Sequence, residues 1–160
     1  MKYFIVALFM TLGVFLLSLD TTAVPLSTDQ LCGKIGSEFV HAIESADTIK
    51  ALKLLPKHHK TKEEKQGYNV IPSEREMDEA LVRAVKSCIL NDEHYYFDMT
   101  KKCEFVPEIG FIISGDKEYT VYASYCAKQL KFIDGSHEII IDCDPMGPLM
   151  EKTFERAVRS

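Results

Sequence analysis

The chain has 160 residues, 46% of them hydrophobic and 27% charged, with a formal net charge of −5 at neutral pH. That is enough chain for a domain that buries its own core. The mild acidity argues against a dedicated nucleic-acid track, because phosphate binding depends on clustered Lys and Arg.

The first predicted element is a leader. Met1 and Lys2 open into an apolar run through Phe4-Ile5-Val6-Ala7-Leu8 and on to Val14-Phe15-Leu16-Leu17. Asp20-Thr21-Thr22-Ala23 follows, with small residues where a signal peptidase reads. This pattern predicts a secretory signal peptide over 1–23, cleaved after Ala23, and so a secreted protein. The run of about 16 apolar residues is short of the roughly 20 that span a bilayer, so no membrane association is expected. Cleavage removes Lys2 and Asp20 together, so residues 24–160 keep the same net charge.

A helix is expected next. Ser27 and Gln30 have capping-box spacing with Asp29 between them, and Leu31, Ile35, Phe39 and Ile43 recur every fourth residue. The helix is expected to reach about Leu54, with a bend near Ser45-Ala46-Asp47, and to end at Pro56. Gly33 and Gly36 weaken its first turns by about 1 kcal/mol each relative to Ala. Residues 57–66 read KHHKTKEEKQ, without one apolar side chain, and are expected to form a solvated connector. After Pro72 a second helix is expected, with Ser73 and Glu76 as its capping box and Met77, Leu81, Ala84, Val85 and Cys88 as its core stripe. Asn91-Asp92-Glu93 stops it.

From Tyr95 onward the period falls to two. Ile109–Ile113, Tyr119–Cys126, Gln129–Ile133 and Glu138–Cys143 read as strands, with turn chemistry at Ser114-Gly115-Asp116-Lys117 and Asp134-Gly135-Ser136-His137. Strands joined this tightly pair antiparallel, so a meander is expected. Ile139-Ile140-Ile141 is apolar on both faces and is placed at the sheet centre. Met150, Phe154, Ala157 and Val158 predict a short closing helix after Pro148. The fold class is therefore α+β: N-terminal helices, an antiparallel β-meander with the second helix across one face, and a short C-terminal helix.

All five cysteines, Cys32, Cys88, Cys103, Cys126 and Cys143, follow the leader, and in an oxidising compartment each is a disulfide candidate. Two bridges leave one thiol over. No pair has zinc spacing, so no metal or other cofactor is expected. The five histidines, His41, His58, His59, His94 and His137, join no recognisable catalytic motif, and His41 is read as partly buried in the first helix. Glu104 and Glu108 are the candidate general bases, and Asp142-Cys143-Asp144 is too sparse for a cation cage.

Gly67-Tyr68-Asn69-Val70, followed by a helix ending Ala84-Val85-Lys86-Ser87-Cys88, resembles the opening of the ribonuclease-like secreted effectors of powdery mildew fungi. Tyr119-Thr120-Val121-Tyr122 before Cys126, then Leu130-Lys131-Phe132-Ile133-Asp134-Gly135 and a strand ending in Cys143, resembles their closing stretch. The similarity spans 67–143 and implies a ribonuclease-like domain over 67–160, with 24–66 packed against it as one unit. The departures are as informative. Val70 stands at the family's first cysteine, so the resemblance leaves Cys143 to pair with Cys88 or Cys32. The related ribonucleases use a Glu base, a His acid and an Arg on the phosphate, a set that takes one proton, gives another and neutralises charge. Here Asp134 stands at the His position and Glu118-Tyr119-Thr120 supplies no Arg.

The resemblance with these losses implies an inactive ribonuclease-like effector, secreted and carried into host cells as a monomer, that binds a host protein and, more weakly, RNA. The expected contact residues are Tyr95, Tyr96, Tyr122, Lys101, Lys102 and Lys131. Two rival readings are an active ribonuclease with a rearranged site built on Glu108 and His137, and an unrelated secreted inhibitor or ligand carrier.

Overall fold

Gly36 decides how the folded chain begins. The computed structural model describes residues 27–55, 63–65, 67–72, 77–135 and 137–159, so the expected leader lies outside the described residues. The apolar stripe is helical but broken in two, α1 (Asp29–Ile35) and α2 (Ser37–Ser45). Gly36 joins them at a φ of 90°, a left-handed conformation that a side chain would strain. The single helix expected to reach Leu54 stops at Ser45, because Ile49–Leu55 is a strand, β1. Ile49 and Ala51 face one side of it, Leu52 and Leu54 the other, and all four are buried. Burial on both faces erases the alternation that marks a strand in sequence.

The capping box at Ser27 does not form either. Ser27 Oγ donates to Asp92 Oδ2 at 3.0 Å, and the Asp92 carboxylate also accepts from the Gln30 and Leu31 amides at 2.9 and 3.0 Å. The N-terminal amides of α1 at Gln30 and Leu31 are thus satisfied from a single-turn 3-10 helix at Asp92–His94, 61 residues or more along the chain.

The sheet contains β2 (Glu63–Lys65), β3 (Tyr68–Pro72), β4 (Ile109–Ser114), β5 (Glu118–Ser124), β6 (Gln129–Asp134) and β7 (His137–Asp142) beside β1. Among the described residues the order is β2-β3-β1-β4-β5-β6-β7, with every pairing antiparallel. The expected meander is β4 to β7. Part of the expected 57–66 connector, Glu63–Lys65, is strand β2, and 57–62 lies outside the described residues. β1 sits between β3 and β4, so the chain before residue 66 supplies an internal strand of the sheet. The Ile139-Ile140-Ile141 run is at the edge, not the centre. β7 is the last strand, and Ile139 and Ile140 are exposed while Ile141 is buried.

α3 (Glu79–Ile89) starts at Asp78, whose carboxylate accepts from the Leu81 amide at 2.8 Å. The Ser73–Glu76 box lies outside the described residues, and Met77 is buried just ahead of the helix. α4 (Gly147–Arg159) closes the chain. α2 and α4 lie directly on the sheet, whereas α3 packs chiefly on α4 instead of across the strands. The main core joins Leu31, Phe39, Ile43, Val85, Ile89, Met150 and Phe154 of the helices to Phe111, Ile113, Val121, Leu130 and Phe132 of the sheet.

The opposite sheet face has a smaller core of Leu52, Leu54, Val70, Ile112, Tyr122 and Ile133. The sheet curls over it. Lys65 Nζ of β2 reaches Glu118 Oε1 of β5 at 2.7 Å, and the Tyr68 and Tyr122 rings meet edge-on at 5.1 Å. Tyr122 needs a glycine beside it: a Cβ on Gly110, its cross-strand partner, would lie 2.7 Å from the ring. The fold is α+β, with helices on one face and a curled antiparallel sheet.

Candidate functional site

Glu108, the first candidate base, stands just before β4. Its carboxylate accepts from the Tyr125 amide at 2.9 Å and also from the Cys126 amide. Burial raises its pKa, and these amide bonds only partly offset that effect. His137 opens β7 at the other end of the ladder, opposite Asp134. Ile109 is level with Ala123, Leu130 and Ile141, so from Glu108, one residue earlier, His137 lies five positions up and three strands across. At about 3.3 Å per residue and 4.8 Å per strand, the two are about 20 Å apart. They do not form one acid–base site. Glu104 is exposed on the loop before Glu108.

Asp134 and Glu118, two acids singled out in the sequence, are both paired with lysines. Asp134 receives Lys117 Nζ at 2.9 Å, and Lys117 also reaches Glu38 of α2 at 3.3 Å. The Asp134 bond is the main reason the Lys117 ammonium titrates above its usual range, with hydrogen bonds to Glu38 and to the Tyr119 side chain adding to it. Glu118 is bound by Lys65. No local sequence signal marks the Glu38–Lys117–Asp134 triad, because its members come from α2, a turn and the end of β6.

The expected contact residues are scattered. Tyr95 is buried, donates its hydroxyl to the Ile89 carbonyl at 2.5 Å, and has its pKa pushed up by burial. Tyr122 is fully buried under Tyr68. Neither contributes to a surface. Tyr95 belongs to the main core and Tyr122 to the smaller one on the opposite face. Tyr96 is exposed, at 45%, and Lys102 is exposed.

Lys101 is spent within the fold. Its Nζ lies 2.7 Å from Asp144 Oδ1, 3.0 Å from Asp142 Oδ2 and 3.0 Å from the Ala127 carbonyl. Burial pulls its pKa down, but the two carboxylates outweigh burial and hold it above the ordinary lysine value. The Asp142-Cys143-Asp144 cluster therefore faces a lysine, and among the described residues no group of side chains is arranged to hold a metal. Lys131 pairs with Glu138 at 3.3 Å and lies over the Phe105 ring. His41, expected to be partly buried, is exposed on α2. His94 is fixed by the Cys88 carbonyl at 2.8 Å and by Asn91.

None of the five cysteines is bridged. Cys143 is bonded to neither Cys88 nor Cys32 in this structure. The Cys143 thiol is turned toward the Met150 sulfur at 3.7 Å, and Cys88 toward Thr153, both on α4. Burial pushes the Cys143 thiol up to about 12 and raises that of Cys88.

What the structure does assemble is an open sheet edge. The Tyr96 amide donates to the Asp142 carbonyl at 2.9 Å, so the Asp142 backbone faces away from β6. Glu138 and Ile140, at alternate positions, face the same way and meet no strand among the described residues. Ile140 is 43% exposed on one face and Ile139 36% on the other. Beside Ile139 is a cleft of about 330 Å³, floored by Phe39 and Phe132 and rimmed by Gly33, Gly36, Asp134 and His137. Sequence reasoning missed this edge because edge position is a property of topology, not of the HEIII run itself.

Searches of protein-family models, curated proteins and solved structures find no match to this chain. Among the described residues no helix is long and apolar enough to cross a membrane.

Proposed function

We propose that this chain is a secreted effector of the ribonuclease-like type that has lost RNA cleavage and acts by binding a host protein through the open edge of β7. The observation that carries the reading is the edge itself. Two alternate residues offer ladder groups that meet no strand among the described residues, an isoleucine projects on each face, and a cleft beside Ile139 can take an apolar side chain. An added strand gains main-chain hydrogen bonds along such an edge and specificity from alternate side-chain pockets.

Loss of cleavage is supported by the separation of Glu108 from His137 and by the lysine pairing of Asp134 and Glu118. The tyrosine-filled second face, with Lys131 tied to Glu138, leaves little to hold an RNA strand. The reading is tested with labelled single-stranded RNA at low salt, followed for both retardation and cleavage, beside pull-downs from host extract. The expected result is no cleavage, and a retained host protein that Ile140→Lys releases while Lys152→Glu, on exposed α4 surface, does not. Cleavage of the RNA, or equal capture by both variants, overturns it.

A further inference from the structure

The segment between Tyr96 and β4 runs beneath the Tyr125–Lys128 turn that joins β5 to β6, and it is pinned there repeatedly. Lys101 Nζ bonds the Ala127 carbonyl at 3.0 Å. Cys103 Sγ lies 4.0 Å from Oε1 of Gln129, the residue that follows the turn. Glu108 takes the amides of Tyr125 and Cys126, and its own amide donates to the Ala123 carbonyl at 2.9 Å. Cys126 is the second residue of the turn, between the points held by Glu108 and Lys101. Cys103 is on the crossing segment between those same two anchors. Both cysteines are exposed, whereas Cys88 and Cys143 are buried and Cys32 is half-buried on α1.

We propose that Cys103 and Cys126 are the pair this chain oxidises, forming a disulfide that staples the 96–108 segment to the β5–β6 turn. Exchange proceeds through thiolates that a disulfide oxidant can reach, so exposure selects these two, and burial keeps Cys88 and Cys143 protonated. The oxidant is a small-molecule disulfide such as oxidised glutathione. The Cys103 thiolate attacks one of its sulfurs and expels a glutathione thiolate, which takes up the proton Cys103 released. The Cys126 thiolate then attacks the mixed disulfide at the Cys103 sulfur, forming the new S–S bond and expelling a second glutathione. Two protein thiols and one glutathione disulfide thus yield one protein disulfide and two glutathione thiols.

The test uses the full chain, folded in a mixture of reduced and oxidised glutathione, treated with iodoacetamide and digested with trypsin without reduction. The expected product joins the tryptic peptides 103–117 and 118–128, lighter than their sum by two hydrogens. Cys103→Ser, a conservative change at an exposed position, is expected to leave Cys126 alkylated or carrying glutathione and joined to no other cysteine of the chain, and Cys32→Ser to leave the linked peptide intact. Recovery of Cys103 and Cys126 as separately alkylated peptides overturns the proposal. So does linkage of either to another cysteine of the chain, or a Cys126 that in Cys103→Ser is joined to another cysteine peptide.

Discussion

Asp92→Ala should be one of the most damaging single changes in the chain. α1 has seven residues and no side-chain cap of its own, too short to persist in water without outside support. Asp92, only 7% exposed, provides that support with three accepted hydrogen bonds. Ser27 and Gln30 are exposed and recover water when the carboxylate is removed, so their bonds count for little. The Leu31 amide bond is buried, and its loss as an unsatisfied donor costs about 2 kcal/mol. Losing the negative charge at the helix N-terminus adds about 1 kcal/mol. The total of about 3 kcal/mol is a large share of the roughly 5–15 kcal/mol typical of a domain. Asp92→Asn keeps Oδ1 for Leu31 and should cost about half as much. Urea unfolding followed by far-UV circular dichroism measures both, with the exposed neighbour Glu93→Ala as the control. Amide exchange at Leu31 should quicken in step with the loss of stability. An Asp92→Ala variant within about 1 kcal/mol of the native chain, or no worse than Glu93→Ala, would show that α1 is held by apolar packing and not by this carboxylate.

Three further outcomes follow from the same geometry. Lys101→Met strips the charge that compensates Asp142, whose Oδ2 is buried without a directed hydrogen bond, and should cost about 3 kcal/mol in urea unfolding at pH 7. Adding Asp142→Asn should return part of that loss. Gly110→Ala drives a methyl into the Tyr122 ring and should cost about 1–3 kcal/mol, with Tyr122→Leu in the same chain recovering some of it, as read by thermal melting. Glu108 has a folded pKa above its ordinary 4.5, so the folded state holds its proton more tightly and this residue's contribution to stability falls as pH rises through and above 4.5. Glu108→Gln should flatten that decline, and a stability–pH curve of unchanged slope would contradict the burial argument.

The meander was legible because turn chemistry at Gly115 and Gly135 punctuates short runs rich in Val, Ile, Tyr and Phe, although β4 and β5 are buried on both faces as β1 is. α3 was legible from Leu81, Val85 and Cys88, although its true cap, Asp78, is five residues later than the expected Ser73. β1 was read as helix because Ala51, Leu52 and Leu54 are all buried, and a strand buried on both faces carries no period of two. The candidate site was less legible than the fold. Tyr95 and Tyr122 looked like contact residues by type, but whether a tyrosine is core or surface depends on which face later packs over it. The pairing of Lys117 with Glu38 and Asp134 joins residues 79 and 17 positions away, a proximity that exists only after folding.

The place of β1 also bears on how the chain is made. Its ladder with β3 closes over a short stretch, since Leu55 meets Asn69, but its other edge meets β4, where Ile49 pairs with Ile113. During synthesis that second edge is complete only after some sixty more residues have left the ribosome. Until then a strand rich in Leu and Ile presents an unprotected row of amides and carbonyls. A nascent chain stalled before residue 109 would be a template for misassembly, and the rate of folding should be set by the arrival of β4 and not by the earlier helices.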